Sequence, residues 1–210
     1  MDILEQYRES LTAEEQLEQH AQIRNAASQL TSLIESVSAY NRQERHDGNI
    51  VPVLLDIGRT CATISEEIHT VWSKDHQLRI SISPDCGAGL FDEALFRRLL
   101  ENLLTNAYRF TPAGGGVSLL VSRNGDRLLI EVSDTGIGIP AEDQKRIFEA
   151  FYRCSNIDAR RGLGLGLSIV SESLQTLNGS ISLKSTIGTG TVFQVELPVI
   201  SSTVSEEPLP

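Results

Sequence analysis

The chain has 210 residues, 40% of them apolar, which suits one large domain or two small ones with a real core and excludes collagen-like, mucin-like and wholly disordered readings. Eighteen Lys and Arg against 28 Asp and Glu leave a formal net charge of −10, which argues against a sequence-neutral nucleic-acid binder, so any bound phosphate must be held by local groups. Cys61, Cys86 and Cys154 form no CxxC pair, and no apolar run approaches the roughly 18 residues of a bilayer span. The expectation is a reducing, cytoplasmic setting with no membrane contact by this segment.

Met1 is followed by Asp2, Glu5 and Glu9, the wrong charge for a signal peptide. Residues 2–10, with Ile3, Leu4 and Tyr7, read as a short separate piece. Residues 12–46 read as one long helix, opened by Thr12 with Glu15 three positions on, a spacing that satisfies two free backbone donors at a helix start. Ile23, Ala26, Ala27, Leu30, Leu33, Ile34 and Val37 recur at three- and four-residue steps, one narrow apolar stripe on a polar rod. Such a stripe needs a partner helix, and dimerisation supplies it. Asp47-Gly48-Asn49 ends the helix with a turn signal.

Beyond Val51 the pattern alternates. An amphipathic segment near Ile57–Trp72 is followed by a strand at Leu78–Ser83 and a helix over about Asp92–Phe110. Val117–Ser122 and Arg127–Ser133 flank Asn124-Gly125-Asp126 and predict a hairpin; Ile181–Lys184 and Thr191–Leu197 predict a second around Gly188-Thr189-Gly190. Between them Leu165–Leu177 is an amphipathic helix. Tight turns between consecutive strands imply antiparallel pairing, so the expectation is an α/β sandwich rather than a doubly wound sheet. Ser201–Pro210 reads as a loose tail.

Three clusters carry chemistry. Asp134-Thr135-Gly136-Ile137-Gly138-Ile139-Pro140 follows a core strand: the carboxylate can accept from an exocyclic amine, and the glycines let a flat ring approach the backbone. A plain turn would look similar. Gly162-Leu163-Gly164-Leu165-Gly166-Leu167 opens the second amphipathic helix, where exposed N–H groups and the helix dipole can cradle phosphate without many basic side chains. The alternative is a hinge; no Gly-Lys-Ser/Thr follows, so a Walker-type loop is excluded. Asn102, Asn106 and Arg109, spaced four and three, share one helix face while Leu99, Leu100 and Leu103 face the core. That face can offer an oxygen to Mg²⁺ and positive charge to phosphate, or be a solvated surface.

In this order, between residues 102 and 166, the clusters resemble the ATP-binding catalytic domain of bacterial sensor histidine kinases. Glu101-Asn102-Leu103-Leu104-Thr105-Asn106-Ala107-Tyr108-Arg109-Phe110-Thr111 resembles that family's N box and Asp134–Gly138 its G1 box. Phe148–Arg153 resembles the F box, Gly162–Leu167 the G2 box, and Gly188–Thr191 the closing glycine turn. The resemblance implies an α+β fold: a two-layer, Bergerat-type ATP-binding sandwich whose mixed sheet is covered by helices, preceded by the long dimerisation helix. It divides the chain into a partial dimerisation hairpin (1–47), the ATP-binding domain (48–198) and a flexible tail (199–210).

By position, the resemblance makes Asn106 the Mg²⁺ ligand, Asn102 a support for phosphate or metal, Arg109 a phosphate contact and Asp134 the adenine reader. Gly136, Gly138, Gly162, Gly164, Leu165 and Gly166 would border the nucleotide, and Arg161, in a short lid between Arg153 and Gly162, would add a phosphate contact. Phe148 and Phe151, three apart on a presumed helix, are expected to pack in the core. The implied cofactors are ATP and Mg²⁺, and the implied partners a second copy of the chain through residues 12–46 and a response-regulator receiver domain.

The hydrolytic relatives, gyrase and the heat-shock chaperone ATPases, carry a Glu where Asn102 stands; an amide takes no proton, which favours phosphoryl transfer over hydrolysis. The family's phosphoacceptor motif is not found around His20, His46, His69 or His76. The acceptor imidazole is therefore expected from outside the chain. The alternative reading is a nucleotide-binding regulatory or dimerisation module without kinase activity.

Overall fold

A computed structural model describes residues 51–72, 75–157 and 163–199; the predicted helix over 12–46, most of the predicted tail, and Arg160, Arg161 and Gly162 lie outside the described residues. The described elements run β1 (Pro52–Asp56), α1 (Ile57–Trp72), β2 (Gln77–Ile82), a 3-10 turn (Pro84–Cys86), β3 (Ala88–Asp92), α2 (Glu93–Phe110), β4 (Gly116–Asn124), β5 (Arg127–Asp134), α3 (Gly166–Thr176), β6 (Ser180–Thr186) and β7 (Gly190–Pro198).

Five strands form one sheet in the order β2-β4-β5-β7-β6. Both predicted hairpins are present, as β4–β5 and β6–β7, and β5 pairs antiparallel with β7. The sheet is mixed, as the family resemblance implies: the hairpin pairs joined by tight turns are antiparallel, while β2 and β4 are parallel. The reason is that β2 and β4 are separated by β3 and the 18-residue α2, long enough for the crossover that parallel neighbours need. β1 and β3 make a separate antiparallel pair with no signature in the sequence, since five residues each are too short to show a period.

Alternate residues of the central strands, Val117, Leu119 and Val121, Leu128, Ile130 and Val132, Phe193, Val195 and Leu197, are buried in one cluster with the inner faces of the helices. The result is the two-layer sandwich. α2 runs through it because Phe96, Leu99, Leu100, Leu103, Leu104 and Ala107 recur at helical spacing, each large side chain contributing roughly 1.5–3 kcal/mol when fully buried. Asp92 starts the helix: its Oδ1 accepts from the Leu95 N–H at 3.0 Å and its Oδ2 from the Val51 N–H at 3.2 Å. The apolar face thereby fixes which residues look the other way, and those are Asn102, Asn106 and Arg109.

Residues 141–151 correct one expectation. They form successive turns rather than a helix, and although Phe148 packs on the core, Phe151 is 67% exposed with φ 65°. The cause is a competing acceptor. The Phe151 N–H donates to Gly164 O at 3.0 Å, which turns the backbone into the left-handed region and the ring outward.

Candidate nucleotide site

The polar face of α2 meets the start of α3. Asn102 donates its Nδ2 hydrogen back to Arg98 O at 2.7 Å, which leaves Oδ1 facing the glycine segment. A Cβ on Gly166 would lie 3.1 and 3.3 Å from Nδ2 and Oδ1 of Asn106 and 3.4 Å from Oδ1 of Asn102. A side chain here would press on the amide pair, which would have to give by a few tenths of an ångström. Asn106 commits neither amide atom to a hydrogen bond among the described residues, so its oxygen is a hard donor available to a cation such as Mg²⁺. Arg109, one turn on, has its guanidinium pKa lowered by burial.

α3 has no side-chain cap, in contrast to α2. Leu165 at its N-cap is 5% exposed and closes the inner side. The first-turn N–H groups and the dipole there are suited to an anion. Gly164 has φ 74°, and a Cβ on it would overlap the carbonyl oxygen of Tyr152, so two independent constraints require glycine.

Asp134 ends β5 in a row that crosses the sheet. Leu78, Val117, Asp134, Thr191 and Ser185 are successive register partners on β2, β4, β5, β7 and β6, apolar in the first two and polar in the last three. Asp134 Oδ1 accepts from the Gly136 N–H at 2.8 Å and the Thr191 N–H at 3.3 Å. Burial nevertheless pushes its carboxyl up from 3.8 to about 6, and the two backbone bonds only partly oppose that. With both of these bonds on one oxygen, Oδ2 can accept from a ligand amine.

The glycine segment after Asp134 is docked at both ends. The Ile137 N–H donates to Phe110 O at 3.2 Å, and the Gly188 N–H donates to Ile137 O at 2.9 Å. A Cβ on Gly136 would sit 2.5 Å from Phe110 O, and one on Gly138, at φ 69°, would overlap the Thr186 carbonyl oxygen. The segment thus fills the gap between the end of α2 and the β6–β7 turn. Asn156 Nδ2 donates to Gly138 O at 2.9 Å.

The structure therefore joins Asn102, Asn106, Gly164, Leu165 and Gly166 at one helix junction, while Asp134, Gly136 and Gly138 form a second cluster at the sheet mouth. Phe110, which follows Arg109, links them. Ser185, Asn156 and Gln144, which tie these segments together, belong to none of the sequence motifs. Ser185 has one signal, the strand period that puts it opposite Thr191, readable only once the register is known; Asn156 and Gln144 lie outside the strands and have no such signal. Among the described residues no group of three or more His, Cys, Asp or Glu could hold a metal ion, so a cation here would rest on Asn106 and the ligand's own oxygens. Among the described residues no helix is long and apolar enough to cross a membrane.

A mixed sheet covered by helices on one side, with an amide-bearing helix, a carboxylate-glycine segment and a glycine-rich helix start, defines a nucleotide-binding ATPase-type domain. The chain belongs to the histidine kinase-, DNA gyrase B- and HSP90-like ATPase family, whose pattern matches residues 91–201. It is 33% identical over 190 residues to the adaptive-response sensory kinase SasA of Synechococcus sp. strain JA-3-3Ab, covering 89% of this chain and 49% of that one. It is also 38% identical over 151 residues to the sensor-like histidine kinase SenX3 of Mycolicibacterium smegmatis, covering 69% and 39%. Among solved structures it is similar to full-length ShkA in complex with AMPPNP, with a TM-score of 0.73 and 30% identity over 91% of this chain and 40% of that one. The chain spans about half the length of the SasA sequences it matches. The family pattern over residues 91–201 and the similarity to sensor kinases place the ATPase-type domain within this chain.

Proposed function

We propose that the chain positions Mg-ATP and transfers its γ-phosphoryl group to a histidine outside these residues, for onward transfer to an aspartate of a response-regulator receiver domain. The observation that carries this reading is the contact of Gly166 with Asn106 and Asn102, which brings the phosphate-cradling helix start against the amide pair. On this reading Asp134 accepts from the adenine amine, while Gly136 and Gly138 admit the base. Asn106 offers its oxygen to Mg²⁺, Asn102 and Arg109 serve the phosphates, and Gly164, Leu165 and Gly166 border them. Mg²⁺, when bound, neutralises phosphate charge. The rest of the work is positioning by fixed dipoles, which suits a reaction with little covalent chemistry for the protein to do.

The two described histidines are both engaged, which argues against an acceptor among the described residues. His69 Nδ1 lies 3.0 Å from the Tyr108 hydroxyl, joining α1 to α2, and His76 Nε2, in the loop after α1, lies 2.9 Å from O of Thr111, the C-cap residue of α2. Asn102 in place of a base favours transfer over hydrolysis. Residues 1–47 would supply the dimerisation hairpin for a homodimer, 48–198 the ATP-binding domain and 199–210 the tail, in a cytoplasmic setting.

The test is incubation with Mg²⁺, γ-labelled ATP and a histidine-bearing partner fragment. Acid-labile label on the fragment, absent with Asn106→Asp, is expected. Nucleotide binding without transfer would instead identify a regulatory module.

A further inference from the structure

Ser185 sits at the far end of the sheet row that contains Asp134, and it touches neither the phosphate-side residues nor the base-side carboxylate directly. Its hydroxyl is nonetheless the junction of three segments. Oγ accepts from the Ile139 N–H at 2.8 Å, donates to Gly190 O at 3.0 Å and lies 2.9 Å from Thr191 Oγ1. A hydroxyl has one hydrogen to donate and two lone pairs to accept with, so all three contacts are satisfied together when Thr191 donates.

Each contact leads back to the carboxylate. Thr191 donates its N–H to Asp134 Oδ1 at 3.3 Å, and Gly190 is packed so tightly on Asp134 that a Cβ there would overlap the Asp134 carbonyl oxygen. Ile139 ends the glycine segment that starts at Asp134. Gln144 reinforces the same joint, its Nε2 donating at 3.1 Å to both Ile139 O and Ser185 O.

We propose that Ser185 is a positioning residue for base selection: its hydroxyl locks the Gly136–Ile139 segment and the start of β7 in one fixed relation to the Asp134 carboxylate. Without it the Ile139 N–H and the Thr191 hydroxyl lose their acceptor, and the gap that receives the base is no longer held to one width. The proposal rests on the reading of Asp134 as the adenine-amine acceptor.

The test measures dissociation constants of ATP and inosine triphosphate, which carries an oxo group in place of the amine, for the full chain with Mg²⁺. Ser185→Ala is expected to weaken ATP about tenfold, the scale of one lost hydrogen-bond acceptor in a partly buried site, and inosine triphosphate less than about twofold. Ser185→Thr keeps the hydroxyl and is expected to restore the ATP preference. A purely structural role would weaken both nucleotides alike, and that result overturns the proposal. Asp134→Asn separates the two claims: if it collapses the preference and Ser185→Ala does not, only the positioning role fails. If Asp134→Asn leaves the preference intact, the reading of Asp134 fails and the proposal with it. Should Ser185→Ala not fold, Ser185→Cys, a weaker donor and acceptor of similar size, is expected to narrow the preference, and an unchanged preference overturns the role.

Discussion

Gly166 and Asn106 approach so closely that a single added Cβ would stand 3.1 Å from the Asn106 amide nitrogen. Gly166 is also the first residue of α3, where alanine is the better helix former by up to about 1 kcal/mol. Gly166→Ala therefore moves stability and binding in opposite directions. Thermal unfolding is expected at an equal or higher temperature, while the methyl group displaces the Asn106 amide and weakens Mg-ATP binding about tenfold or more, a shift of roughly 1.4 kcal/mol. Unchanged affinity would separate Asn106 from the nucleotide.

Asp134 gives a pH dependence with a definite sign. Its carboxyl is raised from 3.8 to about 6 by burial, so in the free protein it is neutral below pH 6. The ionised form is the better acceptor for an amine, hence ATP affinity is expected to fall as pH drops through 6 and to be flat above it. Titration calorimetry between pH 5 and 8 reads this directly, and Asp134→Asn should remove the step. Stability runs the other way. A raised folded-state value means protonation favours the fold, a contribution present below 3.8 and lost as pH rises through about 6. Asp134→Asn is expected to be more stable than the unchanged protein by up to about 3 kcal/mol at pH 8, a gain that shrinks as pH falls and vanishes below 3.8.

The helices and hairpins were legible because their signals are local. Apolar spacing placed α1, α2 and α3 within a residue or two, and Asn124-Gly125-Asp126 and Gly188-Thr189-Gly190 marked both hairpin turns. What the sequence hid depends on pairing between distant segments. The parallel register of β2 on β4 follows from a crossover, the β1–β3 sheet from two five-residue strands, and the left-handed backbone of Phe151 from the carbonyl of Gly164 thirteen residues away. The same holds at the site. Asn102, Asn106 and Asp134 announce themselves by residue type, whereas Ser185 among the serines of β6 becomes distinct only through the register that sets it beside Thr191.

Gly164 separates phosphate from base. A β-branched residue there meets both a φ of 74° and the Tyr152 carbonyl, so Gly164→Val must break the Phe151–Gly164 bond or shift the start of α3. The Asp134 cluster lies on different elements and is expected to be spared. ATP binding should weaken by about tenfold or more and adenosine binding by less than about twofold, the difference reflecting lost contacts to phosphate alone. Equal losses measured by calorimetry would contradict the division of the site into two ends.

Phe151 combines an unfavourable backbone with little burial. A left-handed conformation costs a bulky L-residue about 1 kcal/mol, and a ring 67% exposed recovers little of it by packing. Asparagine tolerates this conformation far better, and its own N–H can still donate to Gly164 O. Phe151→Asn is therefore expected to raise the free energy of urea unfolding by roughly 0.5–1 kcal/mol without altering adenosine affinity. If stability falls instead, the ring is held by contacts stronger than its exposure indicates. If stability rises and phosphoryl transfer to the histidine-bearing fragment falls, the exposed ring serves the transfer step and its strained backbone is kept for that purpose.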